Sequence, residues 1–138
     1  MMTKRGQIAL EYGLVIGFSL LILIPTILIA NTYSYEYQDR MAVHEAQRAA
    51  DLIVDNADTV HLEGMPSRRT ITVTLPANID SINTINNTII FHMNMGSHTV
   101  YATAKYANIT WDASYVGRGQ YTLVIQKETH HVRIYDAQ

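Results

Sequence analysis

Between Ile8 and Ala30 the chain carries a single charge, Glu11, in an otherwise apolar run. No other feature restricts the fold as strongly. At about 1.5 Å of rise per residue, a helix over this run is long enough for a hydrocarbon core of about 30 Å. Lys4 and Arg5 stand directly before it and place that end on the cytoplasmic side by the positive-inside bias. The remainder of the chain is an ordinary mixture of polar and apolar residues. The run therefore has no partner within the chain and needs lipid or other chains around it.

Three arrangements compete for such a segment. A secretory signal peptide needs a basic region, an apolar region and a small-residue cleavage site, which Ile29-Ala30-Asn31 imitates. The run is long for that purpose, and Glu11 lies in its first turns. An uncleaved signal anchor fits the length and the flanks but gives Glu11 no role. Deep in a bilayer a charged acid costs roughly 2.5–3.5 kcal/mol. The third arrangement puts the cut before the apolar run.

The segment Lys4-Arg5-Gly6-Gln7-Ile8-Ala9-Leu10-Glu11-Tyr12 resembles the class III signal of archaeal type IV pilin-like proteins. The resemblance covers these residues and the apolar stretch after them. It implies cleavage by a membrane prepilin peptidase between Gly6 and Gln7, leaving Glu11 as the fifth mature residue. That family often has a small hydroxyl residue at the third mature position, where this chain has Ala9. The resemblance further implies an extracellular, adhesive pilus. Its subunits would be homo-oligomerised by helix bundling, with the sheet domains outside. The implied partners are the peptidase, an assembly ATPase and a platform membrane protein. Glu11 would meet the new amine of Gln7 on a neighbouring subunit. The protein would sit in the cell membrane as a precursor and on the cell surface when mature. The alternative is a processed minor pilin, or a membrane-anchored surface binding module that does not itself polymerise.

The parts belong together physically. A helix retained on the mature chain moves from lipid to a bundle of similar helices with little loss of hydrophobic free energy. Association then rests on close packing and polar contacts. Gly13 and Gly17 form a Gly-x-x-x-Gly pair that permits close backbone approach, although glycines are also simply frequent in membrane helices. Pro25 removes the bond to the carbonyl of Leu21 and favours a kink. Neighbouring helices and hydroxyls such as that of Thr26 compensate for breaks of this kind.

After Ala30 the character changes. Tyr33, Tyr35 and Tyr37 suit an interfacial belt. From residue 38 to about 61, Ala42, Ala46, Ala49, Ile53, Ala57 and Val60 recur at helical spacing. Glu45, Arg48, Asp51, Asp55 and Asp58 fall opposite and read as a solvated face. Gly64 and Pro66 supply the stop. The expectation is a basic leader over 1–6, a membrane or filament-core helix over 7–30 and its amphipathic continuation over 31–63.

Over 67–138 the period becomes two. The apolar alternations are Ile71, Val73, Leu75; Ile89, Phe91, Met93, Met95; Val100, Ala102, Ala104; Tyr121, Leu123, Ile125; and Val132, Ile134. Turn residues stand at Asn94–Ser97, Gly117–Gly119 and near Thr129. These predict an α+β fold: one long helix packed by its amphipathic half on a small antiparallel sheet of about five strands. Asn86-Asn87-Thr88 and Asn108-Ile109-Thr110 are N-glycosylation sequons at or near predicted loops.

Catalytic chemistry has little support. The chain has no cysteine, no Gly-x-Ser-x-Gly and no phosphate-binding glycine loop. The histidines 44, 61, 92, 98, 130 and 131 show no zinc-site spacing. A formal net charge of −2, with no run of like charges beyond the pair Arg68-Arg69, gives nucleic-acid binding little electrostatic support. The expectation is a non-enzymatic protein without catalytic residues, metal or cofactor.

Overall fold

The structure is a computed structural model that describes residues 4–94 and 98–137; of Lys4 and Arg5 it describes the backbone alone. The chain divides into two compact units, Met1–Gln38 and Asp39–Gln138. One helix, α1 (Lys4–Glu63), runs through both and includes Pro25. It is followed by seven strands rather than the five expected: β1 (Arg68–Leu75), β2 (Ile79–Ile85), β3 (Thr88–Met93), β4 (Thr99–Thr103), β5 (Ile109–Trp111), β6 (Gly119–Lys127) and β7 (Val132–Asp136). The α+β class stands as expected.

In the first unit every side chain described, from Gly6 to Gln38, is exposed. The helix from Gly6 onward is long and apolar enough to cross a membrane. Three of its hydroxyls are satisfied internally: Ser19, Thr26 and Thr32 each donate to the carbonyl four residues earlier, at 2.7, 2.8 and 3.0 Å. Such back-bonding removes the penalty of an unpaired hydroxyl in an apolar medium. Thr26 bonds Ile22, however, not the Leu21 carbonyl that Pro25 leaves without its usual donor.

The second unit has one core. All six stripe residues named from the sequence are buried, and Ala50 and Val54 join them. Five of these eight are alanines, so the buried face of the helix is built mostly of small side chains. Gly64, at φ 78°, ends α1 in the left-handed conformation that glycine adopts without steric penalty, and its N–H donates to the His61 carbonyl at 3.3 Å.

The strands form two sheets. A four-stranded sheet has the order β1-β6-β7-β5, and a three-stranded meander has the order β2-β3-β4. All pairs are antiparallel except β5 with β7, which is parallel and corrects the all-antiparallel expectation. Two strands escape the sequence pattern for physical reasons. In β2 the register slips between Ile79 and Ser81, so Ile79 and Ile82 both face core residues, Met93 and Phe91, although three positions apart. A bulge of this kind breaks the alternation that marks a strand. β5 has three residues, too few to show a period. The turn expected at Asn94–Ser97 and the strand position of Met95 extend into residues 95–97, outside those described.

The core faces of both sheets follow from register. Ile71, Val73, Leu123, Ile125 and Ile134 share one face of the larger sheet, and Ile89, Phe91, Val100 and Ala102 share one face of the smaller. Val124 is buried as well, but alternation puts it on the opposite face of its sheet, paired with Tyr135. The guanidinium groups of Arg68 and Arg133 flank that tyrosine ring, at 6.0 and 5.6 Å from its centre.

Candidate functional site

The residues singled out at the start of the chain all lie on the first turns of α1. Gly6 and Gln7 are exposed helical positions. The side chains of Lys4 and Arg5 lie outside the described residues. Glu11 is exposed and makes no hydrogen bond or ion pair among the described residues. It is the one carboxylate between Gly6 and Tyr35.

Gly13 and Gly17 are open to their surroundings. A Cβ added at either glycine meets nothing within 4 Å. The fold of this chain therefore does not require glycine at these positions. The two bare stretches of backbone, with Leu10, Leu14, Phe18 and Leu21 beside them, line a shallow apolar recess along the helix. At about 100° per residue, Gly13 and Gly17 are roughly 40° apart around the helix, whereas Glu11 is about 120–160° from them. The glycine surface and the carboxylate thus face different directions. A single neighbouring helix docked on the glycines does not also cover Glu11.

The polar chemistry of the second unit is structural in character. Asp58, placed on the solvated face by its spacing, is instead half-buried. Its carboxylate accepts three backbone N–H bonds, from Lys105 at 2.8 Å, Tyr106 at 2.9 Å and Ala107 at 3.0 Å. Partial burial pushes its pKa up. The three N–H donors and the nearby His61 outweigh that and hold it below the ordinary aspartate value. Arg69 ties β1 to the end of α1 through Glu63 at 3.1 Å and Asn56 at 3.3 Å. The loop before β6 is pinned by tyrosines. Tyr121 Oη donates to the Gly117 carbonyl and accepts the Val116 N–H, and Tyr115 Oη donates to the Pro76 carbonyl.

Among the described residues no three of His, Cys, Asp and Glu converge in a way that would hold a metal ion. His61 meets Lys127 at 3.0 Å in a part-buried contact between α1 and β6, and His131 meets Glu128 at 3.1 Å as a local surface contact. Of the sequon asparagines, Asn86 stands in the two-residue turn between β2 and β3 at φ 55°, and Asn108 immediately precedes β5. Both are exposed.

Sequence spacing singles out Glu11, Gly13 and Gly17 because their pattern is local to one helix. It does not identify Asp58, whose donors lie 47–49 residues further along the chain. Comparison with models of known protein families, with curated proteins and with solved structures finds no match for this chain.

Proposed function

We propose that this protein is the structural subunit of an extracellular, type IV-like adhesive filament. It is inserted in the membrane as a precursor, cut between Gly6 and Gln7, and assembled by bundling the apolar helices of neighbouring chains. The observation that carries the reading is the first unit itself. It combines a fully exposed apolar surface, glycines that this chain's own fold does not use, and an unpaired carboxylate on another side of the helix. An anchor needs only the apolar surface. A helix with two distinct contact sides needs at least two neighbours, and head-to-tail contacts that do not close into a ring build a filament.

In this reading the glycine surface supplies close van der Waals packing. Glu11 supplies an axial register by pairing with the amine that cleavage creates at Gln7 of a neighbour. An unpaired carboxylate in a dry bundle would oppose assembly, so the pairing also selects the register that satisfies it. The peptidase, an assembly ATPase and a platform membrane protein are the partners this process requires. Asn86 and Asn108 lie on the exported unit as exposed sequon asparagines.

Glu11→Ala separates a filament subunit from a processed but non-polymerising surface module. The expected result is loss of filaments from the cell surface, with the protein still cleaved and still displayed in the membrane. Filaments in wild-type numbers from that variant would contradict the proposal.

A further inference from the structure

Three observations meet at one corner of the Asp39–Gln138 unit. The N–H of Ile109 donates to the carbonyl of Asn86 at 2.8 Å. The peptide after Asn108 is thus bonded to the peptide after Asn86, and the two sequon asparagines leave the backbone about one hydrogen bond apart. The neighbouring asparagine is used differently. Asn87 donates from Nδ2 to the Ala104 carbonyl at 2.8 Å and accepts the Ala104 N–H at 2.7 Å, which knits the β2–β3 turn to the end of β4. Among the described residues Asn86 and Asn108 enter no side-chain hydrogen bond, and both are exposed. The fold consumes the asparagine that is not a sequon acceptor and leaves the two acceptors free.

The third observation is apolar. Ile85, immediately before Asn86, is 61% exposed, and Tyr106, two residues before Asn108, is 60% exposed. Register puts Ile85 opposite Thr88 on the outward face of its sheet, so no rearrangement of the core covers it. A branched aliphatic group and an aromatic ring thus stand bare beside two unused amides, where the turn between β2 and β3 meets the start of β5.

We infer that Asn86 and Asn108 form one composite glycan patch, both acceptors modified on the same molecule, and that the paired sugars cover Ile85 and Tyr106. The inference rests on the proposal that this unit is exported, since glycosyl transfer of this kind acts on exported chains. At each asparagine, Nδ2 forms a bond to the anomeric carbon of a lipid-linked glycosyl phosphate. The bond from that carbon to the phosphate oxygen breaks, the lipid phosphate leaves with its electron pair, and the amide proton is released. The C–H faces of the sugar rings lie against the isoleucine and tyrosine, and their hydroxyls remain in water. Removing apolar area from water stabilises that arrangement at roughly 25 cal/mol per Å².

The test is intact-mass and glycopeptide analysis of the protein recovered from the surface of its own cells. Wild type is compared with Thr88→Ala, Thr110→Ala and the double variant, with Thr88→Ser and Thr110→Ser as forms that keep the sequon. The expected result is two glycans on each wild-type molecule, one on each single alanine variant, none on the double and two on the serine forms. The double variant should bind a hydrophobic dye several-fold more strongly than wild type. Replacing Ile85 and Tyr106 by threonine in that background should remove the gain. A surface-borne chain starting at Gln7 with both asparagines bare would overturn the patch and leave the proposed function intact. One glycan per molecule would overturn the pairing, and unchanged dye binding in the double variant would overturn the covering. A chain neither cleaved nor surface-borne would remove both the patch and the function.

Discussion

Residues 6–38 and 39–63 belong to one helix, yet the more apolar stretch is the exposed one. Every described side chain before Asp39 is open to its surroundings, whereas eight between Ala42 and Val60 are buried. The buried stretch has the smaller apolar residues, with alanine at five of the eight positions. Hydrophobicity alone therefore does not decide what a helix buries against. The second stretch pairs small residues with strands from the same chain. The first pairs large residues and two glycines with nothing in this chain. What differs is the address of the partner: this chain supplies it for one stretch, and in the proposed filament neighbouring chains supply it for the other.

Substitutions break this comparison most sharply when read on one scale, the unfolding of the second unit in the detergent-solubilised full chain. The largest effect belongs to the core. Phe91 is fully buried, and Phe91→Ala should destabilise by about 3–5 kcal/mol, measured by denaturant unfolding. If it does not, the second unit is not held by the core described.

Asp58→Ala comes next. It leaves three backbone N–H groups without their acceptor, and each unsatisfied group costs about 1–3 kcal/mol when buried. These donors are partly solvated, so the expected loss for the whole substitution is about 1–3 kcal/mol. Asp58 also makes stability depend on pH. Its folded pKa lies below the ordinary value, so its contribution is fully present above the unfolded pKa of about 3.9. It is lost as pH falls through the folded value. Urea midpoints measured downward from pH 5 should fall for the wild type and fall less for Asp58→Asn.

Arg69→Ala removes exposed contacts to Glu63 and Asn56. Surface pairs of this kind contribute about 0.2–1 kcal/mol, and the loss should shrink in high salt.

Gly17→Val has the smallest effect on this scale, within about 0.5 kcal/mol of wild type, because an added Cβ meets nothing within 4 Å among the described residues. The same substitution should remove filaments, counted by electron microscopy of the cell surface. Equal filament counts in wild type and variant would show that the glycine surface is not a contact.

The features of α1 were largely legible in the sequence because a helix encodes its faces within a few residues. The stripe from Ala42 to Val60 and the stop at Gly64 follow from spacing and from the left-handed glycine. What sequence reading missed depends on distant pairing. β2 was hidden by the slip between Ile79 and Ser81. β5 was hidden by its three-residue length and by a parallel partner, β7, that follows it in the chain. Asp58 looked like any acid on a solvated face until the turn at residues 105–107 closed over it. The adjacency of Asn86 and Asn108 is likewise made by one long-range hydrogen bond. The residues proposed for assembly, Gln7, Glu11, Gly13 and Gly17, show the reverse: they were visible in the sequence, while nothing among the described residues engages the carboxylate or the glycines.

The central claim is that the apolar helix is kept on the mature protein and covered by other copies of it. The most direct measurement is the intact mass and N-terminal sequence of protein sheared from the cell surface into a membrane-free fraction. The account predicts filaments whose chains begin at Gln7 and retain the whole apolar run. Chains beginning at Met1, Met2 or Asn31, or a Gln7 start found in membranes alone, would contradict it.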